Sequence, residues 1–232
     1  TDLSAVGGAT TGTVTVSKAV KIAGSTSQLT DTLVTGASSV TAASALVTVN
    51  DAAFTTDTNL TIAATTLSNI GGKTSGAVTV TKAVKVAGST SELTNTLVSG
   101  TSSVIAATAL VTVNDAAFST DTNVTIAATT LSNIGGKTTG AVTLQNKVRI
   151  SGSQSEVTTA LIGGSSVVAD VTNTEANVTT AVTVSEGDAI ATVSKIKGIF
   201  AGGVSDSLSS LATGGSTTTK LDTITTDDSD VA

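Results

Sequence analysis

The residues able to do chemistry in this chain are few and regularly placed. Carboxylates follow strand-like segments at Asp51 and Asp115 in VTVNDAA, at Asp57 and Asp121 in TDTN, and as Glu186 with Asp188 in SEGD. Such groups could offer hard oxygen ligands to calcium. No position, however, carries the alternating Asp/Asn loop closed by Glu, or the glycine–aspartate nonapeptide of calcium-binding β-rolls. Asn and Asp after a strand therefore read as turn or helix-cap residues. Lys73 and Lys137 follow paired glycines in GGKT, but Leu67 stands where a phosphate-binding loop needs its first glycine. That fragment reads as a helix end followed by a turn. Hydroxyls are abundant, yet without His a Ser–His–Asp site cannot form. Asn59, Asn123 and Asn177 open N-x-[ST] triplets, which matter only where the source glycosylates exported proteins. The Thr13-x-Thr15 pair has the form of an ice-binding array, but Ala77 and Ala141 replace Thr13 in the later copies. No residue is assigned a catalytic, cofactor-binding or metal-ligating role. No cofactor is expected, calcium being the one ion the carboxylates could hold.

Composition narrows the chemistry further. The 232 residues contain no Cys, Met, Pro, His, Trp or Tyr, and the aromatic rings are Phe54, Phe118 and Phe200. Without Cys there is no disulfide, thiolate zinc site, iron–sulfur ligation or thiol nucleophile. Eleven Lys+Arg against seventeen Asp+Glu give a net charge of −6, the wrong sign for a phosphate-binding surface, so no nucleic-acid partner is expected. Hydrophobic content of 39% and a mean hydropathy of +0.36 exclude ordinary disorder. No apolar run is long enough to span a membrane, and no signal peptide is visible.

What positions these residues is an internal repeat. Residues 10–73 match residues 74–137 at about 52 of 64 positions without a gap. ALVTVNDAAF recurs at 45–54 and 109–118, and TIAATTLSNIGGK at 61–73 and 125–137. A third copy covers 138–204 with increasing divergence, and residues 205–232 form a Ser/Thr/Asp-rich terminal segment that reads as a solvated acidic end or linker. Residues 1–9 align with the end of a repeat: Leu3, Gly7 and Gly8 match Leu67, Gly71 and Gly72. The chain is therefore expected to be a section of a longer, exported one. Three differences between the first two copies trade a hydroxyl against an apolar group: Thr13 with Ala77, Ala37 with Thr101, and Thr41 with Ile105. Differences that mostly preserve shape point to packing and pairing.

Each repeat unit divides into halves led by Val-Thr-Val, predicting strands at 14–16, 47–49, 78–80 and 111–113. Further strands are expected at 19–23, 39–41 and 60–63 and at the equivalent positions of the second copy. Ser25-Thr26-Ser27 predicts a helix N-cap, with Leu29 and Leu33 on one face of a two-turn helix. Residues 65–70 predict one turn ended by a Gly71-Gly72 C-cap, and 193–200 a longer helix closed by Gly202-Gly203. Short helices of this kind need a strand surface to pack on. The fold class expected is mainly β, a repetitive β-solenoid-like array with short helices between strands. The alternative is a string of tandem small β-sandwich domains.

The units VTVNDAAF and TIAATTLSNIGGKTSGAVTV resemble the Val/Thr/Ala-rich tandem repeats of large secreted bacterial surface proteins, of the hemolysin-like and adhesin-like type in cyanobacteria, over about residues 1–200. That resemblance implies an extracellular or cell-surface location and no enzymatic activity in the repeats. It also implies a part in layers, filaments or adhesive stalks, although the glycine-rich calcium motif that often accompanies such repeats is missing. The function expected is a non-enzymatic structural or adhesive segment that self-associates into a polymer or layer, with cell-surface glycans as a further partner. Two alternatives are a virion fibre or decoration protein and a carbohydrate-active β-helix enzyme. The latter would need carboxylates converging beside a groove.

Overall fold

The computed structural model describes residues 2–35, 40–56, 60–100, 102–118, 125–163, 168–169, 175–192 and 197–202. They fall into two compact units, Thr1–Val113 with Lys137–Ala141, and Asn114–Gly136 with Val142–Ala232. The first contains α1 (Asp2–Gly8), β1 (Val14–Thr15), β2 (Lys21–Gly24), α2 (Thr26–Leu33), β3 (Val40–Thr41), β4 (Leu46–Val49), β5 (Thr61–Ala63), α3 (Ala64–Gly71), β6 (Val78–Val80), β7 (Lys85–Gly88), α4 (Thr90–Leu93) running into a π-helical turn (Thr94–Val98), β8 (Val104–Ile105) and β9 (Leu110–Val113). The second contains β10 (Thr125–Ala127), α5 (Ala128–Gly135), β11 (Val142–Leu144), β12 (Arg149–Gly152), α6 (Gln154–Leu161), β13 (Val168–Ala169), β14 (Glu175–Val178), α7 (Val184–Thr192) and β15 (Lys197–Phe200).

In the first unit, β2, β4, β6 and β8 form one sheet in that order, β5 pairs β7 and β7 pairs β9, and β1 pairs β3. Across the first sheet Lys21 stands opposite Leu46, Val47 opposite Val78, and Val78 opposite Val104. Partners so far apart in sequence suit parallel pairing, which needs a long crossover between strands. Period-two alternation sends Ile22, Val47, Val49, Val78, Val80 and Val104 inward, while Ala23, Thr48, Thr79 and Ile105 face out. In the second unit β10, β12, β14 and β15 form a parallel sheet in that order, with β11 pairing β13.

The crossovers carry the helices, and the sequence starts several of them with the same device. Ser25 accepts from the Gln28 N–H while the Gln28 side chain accepts from the Ser25 N–H; Ser89 with Glu92 and Ser153 with Glu156 repeat this reciprocal cap. Thr183 and Glu186 make the same pair of bonds, at 3.2 and 2.9 Å, ahead of α7. Helix α3 has no side-chain cap and is held by its apolar stripe: Ala64, Leu67, Ile70 and Gly71 are buried.

The chain is therefore not mainly β, and the β-solenoid-like array expected from its Val-Thr-Val segments is corrected. It is mixed α/β, 33% helical and 26% strand, with helices alternating between parallel strands. The tandem β-sandwich alternative fails as well, because every strand pair in the described residues is parallel, whereas sandwiches are antiparallel. The reason is local. The TTLSNI run buries residues three apart and forms a full two-turn helix, while the Val-Thr-Val segments make strands of only two to four residues.

Two smaller expectations change with it. Lys197–Phe200 is a strand on β14, not the end of a helix over 193–200; the helix is α7, nearer the N-terminus, placed there by the Thr183–Glu186 cap. Residues 193–196 and Gly203 lie outside the described residues. The single turn expected over 65–70 is the eight-residue helix α3; it does end at a glycine C-cap, Gly72, with a right-handed φ of −65°. Glycine is required at 71 for space: a Cβ there would run into the Ser102 carbonyl oxygen. Among the described residues no helix is long and apolar enough to cross a membrane.

Candidate functional site

Two of the carboxylates singled out by the sequence, Asp51 and Glu186, are engaged in helix starts, and Asp188 lies within α7. Asp51, buried behind β4, accepts from the Thr26 N–H at 2.7 Å and the Thr26 hydroxyl at 3.0 Å, adding an anion to the first turn of α2. Glu186 accepts from the Thr183 N–H. Asp115 is half-buried, and its main-chain carbonyl accepts from the Asn146 side chain at 2.7 Å. Among the described residues no three carboxylates gather as a metal site would need. Asp57, Asp121, Asn59, Asn123, Ala37, Thr101 and the 205–232 segment lie outside the described residues. Asn177 sits inside β14, half-buried, with its amide nitrogen 3.4 Å from the Ser151 hydroxyl. A glycan would need that nitrogen turned to solvent. The outward row that could have matched ice holds Thr48 beside Thr79, but Ala23 and Ile105 flank them.

The GGKT segments do form part of a recurring feature. Lys73 borders a cleft of about 360 Å³ lined by Thr13, Leu33, Val34, Val40 and Thr41. Lys137 borders one of about 470 Å³ whose lining includes Ala77, Leu97, Val98, Val104 and Ile105. These positions correspond one to one between successive copies of the repeat. The following threonine is structural: the Thr74 hydroxyl donates to the Ala45 carbonyl at 2.6 Å, and that of Thr138 to the Ala109 carbonyl at 2.5 Å. The same hydroxyl oxygens accept from the Gly76 and Gly140 N–H at 3.0 Å, so each threonine is tied on both sides within its turn. Two of the three hydroxyl-for-apolar exchanges noted in the sequence, Thr13 with Ala77 and Thr41 with Ile105, fall in these clefts. The first cleft therefore gains hydroxyls where the second is apolar.

The backbone at the mouth of each cleft is unusual. Helix α2 and the helix begun by α4 each end with an amide bonded five residues back, Thr35 to Thr30 at 3.0 Å and Ser99 to Thr94 at 2.9 Å, a wide π-type turn. Gly163 to Thr158 repeats it in the third copy at 2.9 Å. After the second of these turns, Gly100 and Ser103 take positive φ values of 71° and 49°. A serine there is strained.

The second unit adds a charged row that sequence reading missed. Strand register sets Thr125, Arg149, Glu175 and Lys197 side by side, the first three on the outer face. Arg149 contacts Glu175 Oε2 through Nη2 at 2.9 Å and Nε at 3.2 Å, while Lys147 Nζ lies 3.8 Å from Oε1. The guanidinium also stacks 4.1 Å from the Phe118 ring centroid. In the first unit the corresponding Lys85 stands 5.3 Å from Phe54. For the ring–cation pairs alone a sequence signal was available: Phe54 and Phe118 each recur with a basic residue at the same later place in the repeat, Lys85 and Arg149.

Each cleft offers one lysine, hydroxyls and apolar surface, while the row offers a guanidinium and an ammonium already turned to the Glu175 carboxylate. Among the described residues no carboxylate lines either lysine cleft. Compared with known protein families, curated proteins and solved structures, the chain matches none.

Proposed function

We propose that the chain is a structural or adhesive repeat segment, non-enzymatic, of an extracellular or cell-surface assembly, and that it self-associates. The observation that carries this reading is how the repeated residues are used. Positions shared by the first two copies supply the buried rows, the helix starts and the threonine ties under the clefts. Copying such a unit extends a scaffold and multiplies one surface, while a reaction centre needs to be written once. The extracellular placement comes from the likeness to secreted surface repeats of bacteria. Electron microscopy of the purified chain tests the reading, with ordered filaments or sheets expected. Dispersed monomers at all concentrations would overturn it.

A further inference from the structure

Strand β8 ends the order β2, β4, β6, β8, while the chain runs on through β9 and, in the same unit, the Lys137–Ala141 segment. The Val78 N–H donates to the Ser103 carbonyl at 2.9 Å, and Val78 stands opposite Val104. In a parallel pair so bonded, alternation turns the N–H and C=O of Val104 to the side away from β6. Val104 also lines the cleft of about 470 Å³ that Lys137 borders. Ser103, just before the strand, carries the positive φ of 49°, strain of a kind that collects at ligand clamps.

The hydroxyls around this cleft are already used. That of Ser75 donates to the Ala43 carbonyl at 3.0 Å, and that of Thr96 is spent on the carbonyls of Glu92 and Ala64 at 2.7 and 2.9 Å. Lys137, by contrast, is exposed and belongs to no ion pair among the described residues. The rest of the wall includes Ala77, Leu97, Val98 and Ile105, and Ile105 leaves 52% of its surface to solvent. An ammonium, a main-chain N–H and aliphatic surface therefore meet where, among the described residues, no carboxylate competes. A cleft of this volume falls in the range of small-molecule sites, which are mostly apolar with a few polar groups that fix orientation.

We propose that the Lys137 cleft binds a free aliphatic monocarboxylate. Its carboxylate would take the Lys137 ammonium and the Val104 N–H, and its hydrocarbon tail would cover Leu97, Val98 and Ile105. The charge-assisted bonds orient the acid, and burial of the tail supplies most of the affinity. The Lys73 cleft provides the comparison. It keeps the lysine with Leu33, Val34 and Val40, but carries Thr13 and Thr41 where the second has Ala77 and Ile105. Hydroxyls there reduce the gain from an alkyl tail, so the first cleft should take the same acid more weakly. A peptide ending in an aliphatic residue offers the same carboxylate, but β8 has only two residues, too few for the main-chain pairing that strand addition relies on. The site goes beyond the assembly reading, since a single copy of the chain carries it.

The test follows backbone amide NMR shifts of the whole chain during titration with octanoate. Saturable shifts are expected at Val104, Ile105 and Lys137, with Kd falling from butanoate to octanoate by up to about fourfold per added methylene. Replacing octanoate by octanol, or Lys137→Gln in the chain, should each weaken binding by about tenfold. Ala77→Thr combined with Ile105→Thr should bring the cleft to the affinity of its Lys73 counterpart. None of these three side chains is buried, so circular dichroism should find the fold unchanged. Three results would each overturn the proposal: no saturable shift at Val104, octanol binding as tightly as octanoate, or an unchanged Kd in the Lys137→Gln chain. A peptide ending in Gly-Gly-Leu that binds there more tightly than octanoate would also overturn it, by replacing the free acid as occupant. Dispersed monomers that bind octanoate would support the site while removing the assembly reading. Filaments that show no octanoate shifts would do the reverse.

Discussion

Strands β7 and β12 hold the same place in the repeat and make opposite use of their outer faces. Their inner residues, Val86 and Ile150, are both fully buried and differ by one methylene. Outside, Lys85 is paired with half-buried Leu110, whereas Arg149 is paired with Glu175 and ion-bonded to it. The inner row is fixed by close packing, which feels even a methylene. The outer row answers only to solvent and to cross-strand neighbours, where a pair is worth roughly 0.2–1 kcal/mol. A repeat can therefore vary its surface chemistry freely while its scaffold stays constant.

The largest effect should come from the inner row. Ile150→Ala is expected to cost about 2–5 kcal/mol, read as a fall in Tm by circular dichroism. A smaller loss than that of any outer-row substitution would break the comparison. Next comes backbone approach. Gly71→Ala drives a Cβ into the Ser102 carbonyl and should cost about 1–3 kcal/mol. Gly72→Ala, whose Cβ would stand 3.4 Å from the Ser68 carbonyl oxygen, should shift stability by under about 1 kcal/mol.

The outer row can be exchanged between the strands. Glu175→Leu makes β12 resemble β7 and should cost at most about 1 kcal/mol, with the loss shrinking in 1 M salt, where charges are screened within about 3 Å. Leu110→Glu makes β7 resemble β12, and urea titration should find it near neutral. A loss as large as that of Ile150→Ala in either case would show that the outer row is not free.

The smallest effect concerns the helix caps. Glu156 holds its carboxyl below the ordinary glutamate range, first because the Ser153 N–H donates to it and second because the Ser153 hydroxyl does, against a small opposing effect of desolvation. Its folded value being lowered, the stability it contributes is present above the unfolded value and is lost as pH falls through the folded one. Acid titration of Glu156→Gln should therefore lack the part of the pH dependence the parent shows just below the ordinary glutamate range. The Gln28 cap of the first copy, which cannot ionise, supplies the built-in precedent.

The period was legible because successive copies match almost residue for residue, and the strand starts and the Ser25 helix because each depends on residues near in sequence. So was the difference between the two lysine clefts, in the Thr13–Ala77 and Thr41–Ile105 exchanges, though not that those residues meet. The helix content was not legible, because TTLSNI looks too short and too Thr-rich to persist alone. It persists because Leu67 and Ile70 find a buried place. The charged row was hidden because Arg149 and Glu175 are distant in the chain, and only strand register brings them within 2.9 Å.

By itself the sequence determined the repeat period, the alternation that makes one face of each strand apolar, and the Ser-x-x-Gln/Glu signals that open helices. The alternation and the helix signals are local choices, set by side-chain volume and backbone hydrogen bonding within a few residues. The tertiary structure alone decided that the strands pair in parallel, Thr61 meeting Lys85 and Val47 meeting Val78, and that Gly71 must admit a neighbouring carbonyl. Pairing and close approach join residues distant in the chain, and their free energy depends on which surfaces meet.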